Sequence, residues 1–507
     1  MDKGKVYLVG AGPGDGGLLT IKGRDILNRA DVVVYDNLVG DEILSVIPKR
    51  AKTINVGKRG GHHTMPQEEI NKVLLEEAQK GQIVVRLKGG DPFLFGRGGE
   101  ELELLSKEGI PYEVVPGVTS AVAVPAYNGI PVTHRDYCSS VHIITGHKRA
   151  GKEYDINFKA LVDTKGTLVF LMGVTALEDI MKGLMEAGMD PETPAAILEK
   201  GTTAGQRRVV SCVKDLKEEA DLQKIGTPAV IVVGEVCLLA DKFAWREKLP
   251  LAGKKIVVTR PADFVSEMAR KLRLKGAEVL EIPAISTSAI ENNEKFDACL
   301  ENLSRYDWIA FTSPAGVRIF FEEMEKKNKD VRSLSGIKIA ALGSGSAKAL
   351  RKYGIMADLV PEIYDGESLG KALARNMEEN SRILIPRAAM GNREIIQELK
   401  VRKDIEIDDI ATYDTFYVKQ DIVDERARFE AGDIDCAVFT SASTVKGFVR
   451  ACEGLDYSKV TAACIGKQTK AEADKYGMKT FMAKKATMDS VSELVEEILT
   501  GTSQQKA

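Results

Sequence analysis

Histidine is scarce in this chain of 507 residues: there are five, and none follows His147. Chemistry in the remainder of the chain must therefore proceed without imidazole as a proton carrier. The seven cysteines (Cys138, Cys212, Cys237, Cys299, Cys436, Cys452 and Cys464) are odd in number and scattered, and no C-x-x-C pair occurs. That argues against a disulfide framework or a structural zinc site and leaves buried, inert thiols as the reading. His62 and His63 are neighbours in sequence and cannot easily chelate one ion together, so no metal is expected. No apolar run approaches the roughly 18 residues that span a bilayer. The start "MDKGKVYLVG" lacks the apolar stretch and cleavage site of a signal peptide. A cytoplasmic protein is expected. Lys plus Arg (71) nearly balance Asp plus Glu (74), so no global field points to nucleic acid or to an anionic membrane. Any selectivity for anions must be local.

A glycine-rich loop is present near the start, in "KVYLVGAGPGDGGLLT" from Lys5 to Thr20. An apolar strand runs into Gly10, Gly12 and Gly14, as in a dinucleotide site. The fingerprint G-x-G-x-x-G, however, needs glycine where this chain has Asp15. Pro13 also removes an amide that a phosphate would use, and a carboxylate repels an anion. The loop suits a ligand that is cationic and lacks phosphate. S-adenosylmethionine, with its sulfonium, is the common adenosyl cofactor of that kind. A second glycine-rich stretch, "LKGGDPFLFGRGGEE" (87–101), places Asp91 after Gly89-Gly90, where backbone can approach a flat ligand closely. In "VVPGVTSA" (114–121) a strand breaks at Pro116-Gly117 and leads into Thr119 and Ser120.

Short β-branched runs alternate with helical patterns throughout: "VVVYD" (32–36), "IVVRLKGGD" (83–91), "VHIITG" (141–146), "TLVFLMG" (167–173) and "PAVIVVGEV" (228–236). The spacing predicts an α/β chain with mainly parallel, doubly covered sheets. A charged, proline-containing stretch, 246–252, reads as a linker, after which the pattern restarts with "IVVTRP". The second module repeats itself. "GKKIVVTRP" (253–261) returns as "NSRILIPRA" (380–388), "DWIAFTSPAGVRIFF" (307–321) as "DCAVFTSASTVKGFV" (435–449), and "GSGSAKALRKYG" (343–354) as "GKQTKAEADKYG" (466–477). Separations of 123 to 128 positions are too long for a solenoid and indicate two similar α/β lobes with a cleft between them. Each copy ends a strand in Thr-Ser, where parallel sheets bind ligands and where hydroxyls also cap helices; recurrence in both lobes favours a shared ligand.

Taken together, "VGAGPGD", "YDNLV", "VGKRGG", "GGDPFLFGRGGEE", "PGVTSA" and "TPAVIVVGEV" resemble the tetrapyrrole methyltransferases, most closely uroporphyrinogen-III C-methyltransferase. "VVTRP", "FTSPAGV", "PRAAMGNRE", "ATYDTF", "FTSAST" and "CIGKQT" resemble uroporphyrinogen-III synthase. The resemblance implies a two-lobed methylase module over 1–245 and, after the linker, a two-lobed synthase module over 253–502. One synthase lobe would be 253–285 plus 413–502, and the other 286–412. The implied activities are consecutive. Hydroxymethylbilane is closed to uroporphyrinogen III, which is then methylated twice with S-adenosylmethionine to precorrin-2, on the way to siroheme, cobalamin or haem. A homodimer through the methyltransferase module is also implied.

Carried over residue by residue, Asp36 is the general base and Lys58 the proton donor of methylation. Cofactor contacts fall on Pro13, Gly89, Gly90, Asp91, Leu94, Thr119, Ser120, Met172, Gly201 and Ala229. In the second module Tyr413 assists ring closure, with Arg260, Ser313, Ser441 and Thr469 binding the substrate. Independently of the name, a polycarboxylate macrocycle needs local cations, and Lys58, Arg59, His62, His63, Arg97, His134 and Arg135 lie in or beside the first module's loops. The alternative reading is a methyltransferase of a later corrinoid fused to a non-catalytic, two-lobed polycarboxylate binder.

Overall fold

The computed structural model describes residues 4–57, 65–146, 156–261, 267–391, 393–417 and 422–501. Strands β1 (Lys5–Gly10), β2 (Val32–Tyr35), β3 (Lys52–Asn55), β4 (Ile83–Lys88) and β5 (Tyr112–Val115) form the first sheet. Its order is β3-β2-β4-β1-β5 and every pairing is parallel. All four residues of β2, "VVVY", are buried, as expected of a strand covered on both faces.

The second sheet contains β6 (Val141–Thr145), β7 (Thr167–Leu171), β8 (Pro194–Glu199), β9 (Arg207–Cys212) and β10 (Ala229–Val233), in the order β6-β7-β10-β8-β9. Here the expectation of mainly parallel pairing fails, because only β6 and β7 run parallel. The loop between β8 and β9 is too short to hold a crossover helix, and a short connection forces antiparallel neighbours. Several strands also stop short of their apolar runs. The run 83–91 gives way at Gly89-Gly90, with Gly90 at φ +67°, and the run 167–173 turns at Met172, with φ +56°.

A single nine-stranded sheet organises the rest: β11 (Lys255–Pro261), β12 (Glu278–Ala289), β13 (Trp308–Phe311), β14 (Lys338–Ala341), β15 (Arg382–Ala388), β16 (Glu406–Tyr417), β17 (Cys436–Phe439), β18 (Thr461–Cys464) and β19 (Lys479–Met482). The order is β14-β13-β15-β16-β12-β11-β17-β18-β19. The sequence repeat becomes a pseudo-two-fold about the antiparallel β12–β16 pair, with β15, β13 and β14 matching β11, β17 and β18. Even the irregularities match. The register shifts between Arg260 and Pro261 in β11 and between Arg387 and Ala388 in β15. β12 and β16, with twelve residues each, are long enough to pass from one half of the sheet to the other.

The stretch 246–252 is packed rather than extended into solvent. Arg246 is buried and donates to the carbonyls of Thr202 and Thr203, and Leu251 is fully buried in the same core cluster as Ile256 and Val258 of β11. All seven cysteines are free, and burial pushes the Cys436 thiol up to about 12. No helix among the described residues is long and apolar enough to cross a membrane.

Candidate functional site

A cavity of about 880 Å³ opens where the first two sheets meet. From the first sheet's loops it is lined by Pro13, Gly14, Asn37, Leu38, Gly89, Leu94 and Ser120, and from the second by Met172, Lys200, Gly201 and Ala229. Seven of the ten expected cofactor positions are therefore on its wall. The other three build that wall from behind. Gly90 exchanges backbone hydrogen bonds with Gly12, at 2.7 and 3.2 Å. Asp91 accepts from the amides of Phe93, Leu94 and Gly117, which ties two glycine-containing loops together. Thr119 caps the helix Ser120–Tyr127, accepting from the Ala121 amide.

The backbone around this cavity is unusual. Phe95, Met172 and Lys200 line it and all have positive φ (53°, 56° and 46°), a conformation L-residues adopt at a cost. A Cβ on Gly201 would come within 2.4 Å of the Val124 side chain, and one on Gly89 within 2.7 Å of Leu38. These glycines are required by close approach. The surface they leave is backbone and apolar side chain, which fits a flat adenosyl group better than a phosphate chain.

Asp15 does not face the cavity as the sequence suggested. Its Oδ1 accepts from the Gly17 amide and its Oδ2 from the Tyr127 hydroxyl at 2.9 Å, so it caps and braces the loop instead. The acidic groups that do line the cavity are Asp41, Glu278, Asp433 and Asp435.

Asp36 follows β2 directly and precedes the lining residues Asn37 and Leu38. Its Oδ2 accepts from Arg86 Nη2 at 2.9 Å, and its Oδ1 from the Leu38 amide at 3.1 Å. It does not cap the next helix, Asp41–Leu44, whose cap is Gly40. Behind it lies a buried charge chain. Arg86 Nε reaches Glu101 Oε1 at 3.1 Å, and Lys88 Nζ reaches the same oxygen at 2.7 Å. Burial, helped by the Arg86 charge, holds the Lys88 ammonium below the usual lysine range despite Glu101. Sequence reading missed Arg86, Lys88 and Glu101. The signal was two cations on an otherwise apolar strand, "IVVRLK".

Lys58, Arg59, His62 and His63 lie outside the described residues. So does any side-chain geometry for Arg260, which is described only as a strand residue near the carboxyl end of β11.

In the second half the structure joins two of the expected residues. The Tyr413 hydroxyl lies 2.7 Å from Ser313 Oγ, and burial pushes the phenol above its ordinary value, with Ser313 pulling the other way. Ser313 also caps the helix Pro314–Lys326, accepting from the Gly316 amide at 2.9 Å. Ser441 is the matching cap of the helix Ala442–Ala451, in a capping box with Thr444. Both serines of the recurrent Thr-Ser pairs are thus helix caps. Thr469 is buried in the first turn of the helix Lys467–Asp474. Ser313, Ser441 and Thr469 all follow the carboxyl ends of parallel strands. No cluster of three or more His, Cys, Asp or Glu side chains among the described residues could hold a metal ion.

Comparison with known proteins matches two family models. "Tetrapyrrole (Corrin/Porphyrin) Methylases" covers residues 5–217, and "Uroporphyrinogen-III synthase HemD" covers 266–493. The porphyrin biosynthesis protein HemD of Ruminiclostridium josui is 47% identical over 498 residues, 98% of this chain and 99% of that protein. Siroheme synthase 2 of Cronobacter sakazakii is 53% identical over 244 residues, 48% of this chain; the chain spans 52% of its length. The uroporphyrin-III C-methyltransferase of Thermus thermophilus, solved with S-adenosylhomocysteine, is 41% identical, covering 46% of this chain and 98% of its own, with a TM-score of 0.40.

Proposed function

The chain belongs to the same family as the porphyrin biosynthesis protein HemD of Ruminiclostridium josui, joining a tetrapyrrole methylase to a HemD-type uroporphyrinogen-III synthase, and on that premise we propose that it carries out two consecutive steps. The second half closes hydroxymethylbilane to uroporphyrinogen III. The first half methylates that ring twice to precorrin-2. The observation that carries this reading is the cavity between the first two sheets, lined by Pro13, Gly89, Leu94, Ser120, Met172, Gly201 and Ala229.

S-adenosylmethionine, when bound there, supplies an already activated methyl group. What remains for the chain is alignment and removal of one proton. Asp36 is the proton acceptor in this proposal, with Arg86 fixing the direction of its carboxylate. Lys58 is the proton donor. In the synthase half Tyr413 donates to the departing hydroxyl, while Arg260, Ser313, Ser441 and Thr469 hold substrate carboxylates. The chain's units in this reading are 1–245 and 253–502, with one synthase lobe made of 253–285 plus 413–502 and the other of 286–412. A homodimer through the methyltransferase half and a cytoplasmic location complete the proposal.

The test is to incubate the purified chain with hydroxymethylbilane, with and without S-adenosylmethionine, and to identify products by absorbance and mass. Uroporphyrinogen III without the methyl donor and precorrin-2 with it are expected. Tight binding of hydroxymethylbilane without turnover would reduce the second half to a binding module.

A further inference from the structure

One buried carboxylate is bonded by both halves of the chain. Glu42 sits on the short helix Asp41–Leu44 and is 2% exposed. Its Oε2 accepts from the Gly16 amide at 2.5 Å. Its Oε1 accepts from the Val279 amide at 2.6 Å and from Arg273 Nε at 2.9 Å. Gly16 belongs to the glycine-rich loop whose Pro13 and Gly14 line the methyl-donor cavity, whereas Val279 and Arg273 belong to the synthase half. Arg273 is fixed in turn by Glu281 at 3.1 Å and by the Val279 carbonyl at 3.1 Å.

The same loop is held from its other side, where the Asp15 amide donates to Thr202 Oγ1 at 3.2 Å. It has little room to shift: a Cβ on Gly40, the cap of the Glu42 helix, would lie 2.8 Å from the Gly14 carbonyl oxygen. Around Glu42 the contact continues along the cavity wall. Asp41 pairs with Arg428 at 2.9 Å, and the Ala204 amide donates to Glu278 at 2.7 Å.

We propose that Glu42 is a positioning residue for methyl transfer: it fixes the glycine-rich loop of the donor cavity, and it is itself held by Arg273 and the Val279 amide of the synthase half. The synthase half thereby becomes part of the methylase's donor site. The inference rests on reading that cavity as the S-adenosylmethionine site. Burial pushes the Glu42 carboxyl upward, against Arg273 and the two amides, so loss of Arg273 leaves the charged form poorly compensated. An amide at Gly16 without its acceptor frees the loop, and misplacement of a donor-binding loop is paid in affinity and alignment.

The contact is remote from ring closure. Lys255, Glu278 and Asp435, at the amino ends of β11, β12 and β17, face the donor cavity. Arg260 and Ser441 lie at the opposite ends, and five strand steps from Lys255 to Arg260 correspond to about 17 Å.

The experiment uses the full chain carrying Arg273→Gln, Arg273→Lys or Glu42→Gln. Calorimetry gives the dissociation constant of S-adenosylmethionine, methylation of supplied uroporphyrinogen III gives KM and kcat, and ring closure is assayed without the methyl donor. Arg273→Gln and Glu42→Gln are expected to raise the dissociation constant and KM for S-adenosylmethionine about 10-fold, the scale of losing a charge-assisted hydrogen bond. Arg273→Lys restores part of that affinity, and ring closure stays within about twofold, the site being remote. Wild-type donor affinity in Arg273→Gln overturns the proposal. A parallel loss of methylation and ring closure also overturns it, since impaired folding alone produces that. An unsubstituted chain that fails to bind S-adenosylmethionine sinks instead the reading of the cavity on which the proposal rests.

Discussion

Tyr413 and Ser313, a hundred positions apart, share a 2.7 Å hydrogen bond between their hydroxyls. Tyr413 lies on β16 beside the register shift of β15, and Ser313 follows β13, so the contact spans three neighbouring strands of the sheet. The phenol lies beside the carboxyl end of β15, in a half of the chain that has no histidine.

Tyr413→Phe is expected to slow ring closure by about 10- to 100-fold without abolishing it, below the full scale of a general acid, because folding the bilane between the lobes is spread over many contacts. Quenching, oxidation and chromatographic separation of isomers I and III check this, corrected for spontaneous closure to isomer I. Complete loss in a folded variant would mean a dedicated acid. The pH profile adds a second check. The Tyr413 phenol is raised above its ordinary value, so it stays protonated below about pH 10 and contributes no alkaline limb there. Wild type and variant should share any limb seen in that range.

Asp36→Asn should leave S-adenosylmethionine bound and slow methylation by roughly 10²-fold or more, the usual scale for removing a positioned base. The amide keeps the size of the side chain and retains one acceptor oxygen, enough for the Arg86 or the Leu38 hydrogen bond but not for both. Single-turnover methylation at the wild-type rate would remove Asp36 from the role.

Glu101 is fully buried and serves Arg86 and Lys88 through one oxygen. Glu101→Ala leaves two buried cations to share what remains, and breaking a buried pair by removing one partner costs about 3–5 kcal/mol. Denaturant unfolding of the full chain should show the methylase transition shifted by that amount. A change under about 1 kcal/mol would show that water reaches the network and compensates it.

The two proposed sites open at opposite ends of the strands of the first synthase lobe, so uroporphyrinogen III should pass through solvent between them. When labelled hydroxymethylbilane is converted in the presence of unlabelled uroporphyrinogen III and S-adenosylmethionine, label in precorrin-2 should be diluted in proportion to the unlabelled pool. Undiluted label would reveal a protected route that the strand polarity does not provide.

Sequence alone determined the elements and the kind of ligand. Runs such as "VVVYD" are too β-branched and continuous for anything but a doubly covered strand, and Pro13 removes an amide that a phosphate would use. The internal repeat likewise required two similar lobes. Local pattern has no access to partners distant along the chain, and that is where tertiary structure decided. Asp15, an apparent electrostatic partner for a cation, was drawn into bracing its own loop because Tyr127 packs over it. The antiparallel β8–β9 pairing in the second sheet followed from the length of one loop, and apolar periodicity does not encode strand direction. Arg86 and Glu101 became a buried pair behind Asp36 because β4 lies between β1 and β2. Glu42, one unremarkable acid in "GDEILSV", became the junction of the two halves only when β12 and the helix Glu267–Leu274 brought the Val279 amide and Arg273 to within hydrogen-bonding distance. Burial then turned an ordinary carboxylate into one that requires all three of its partners.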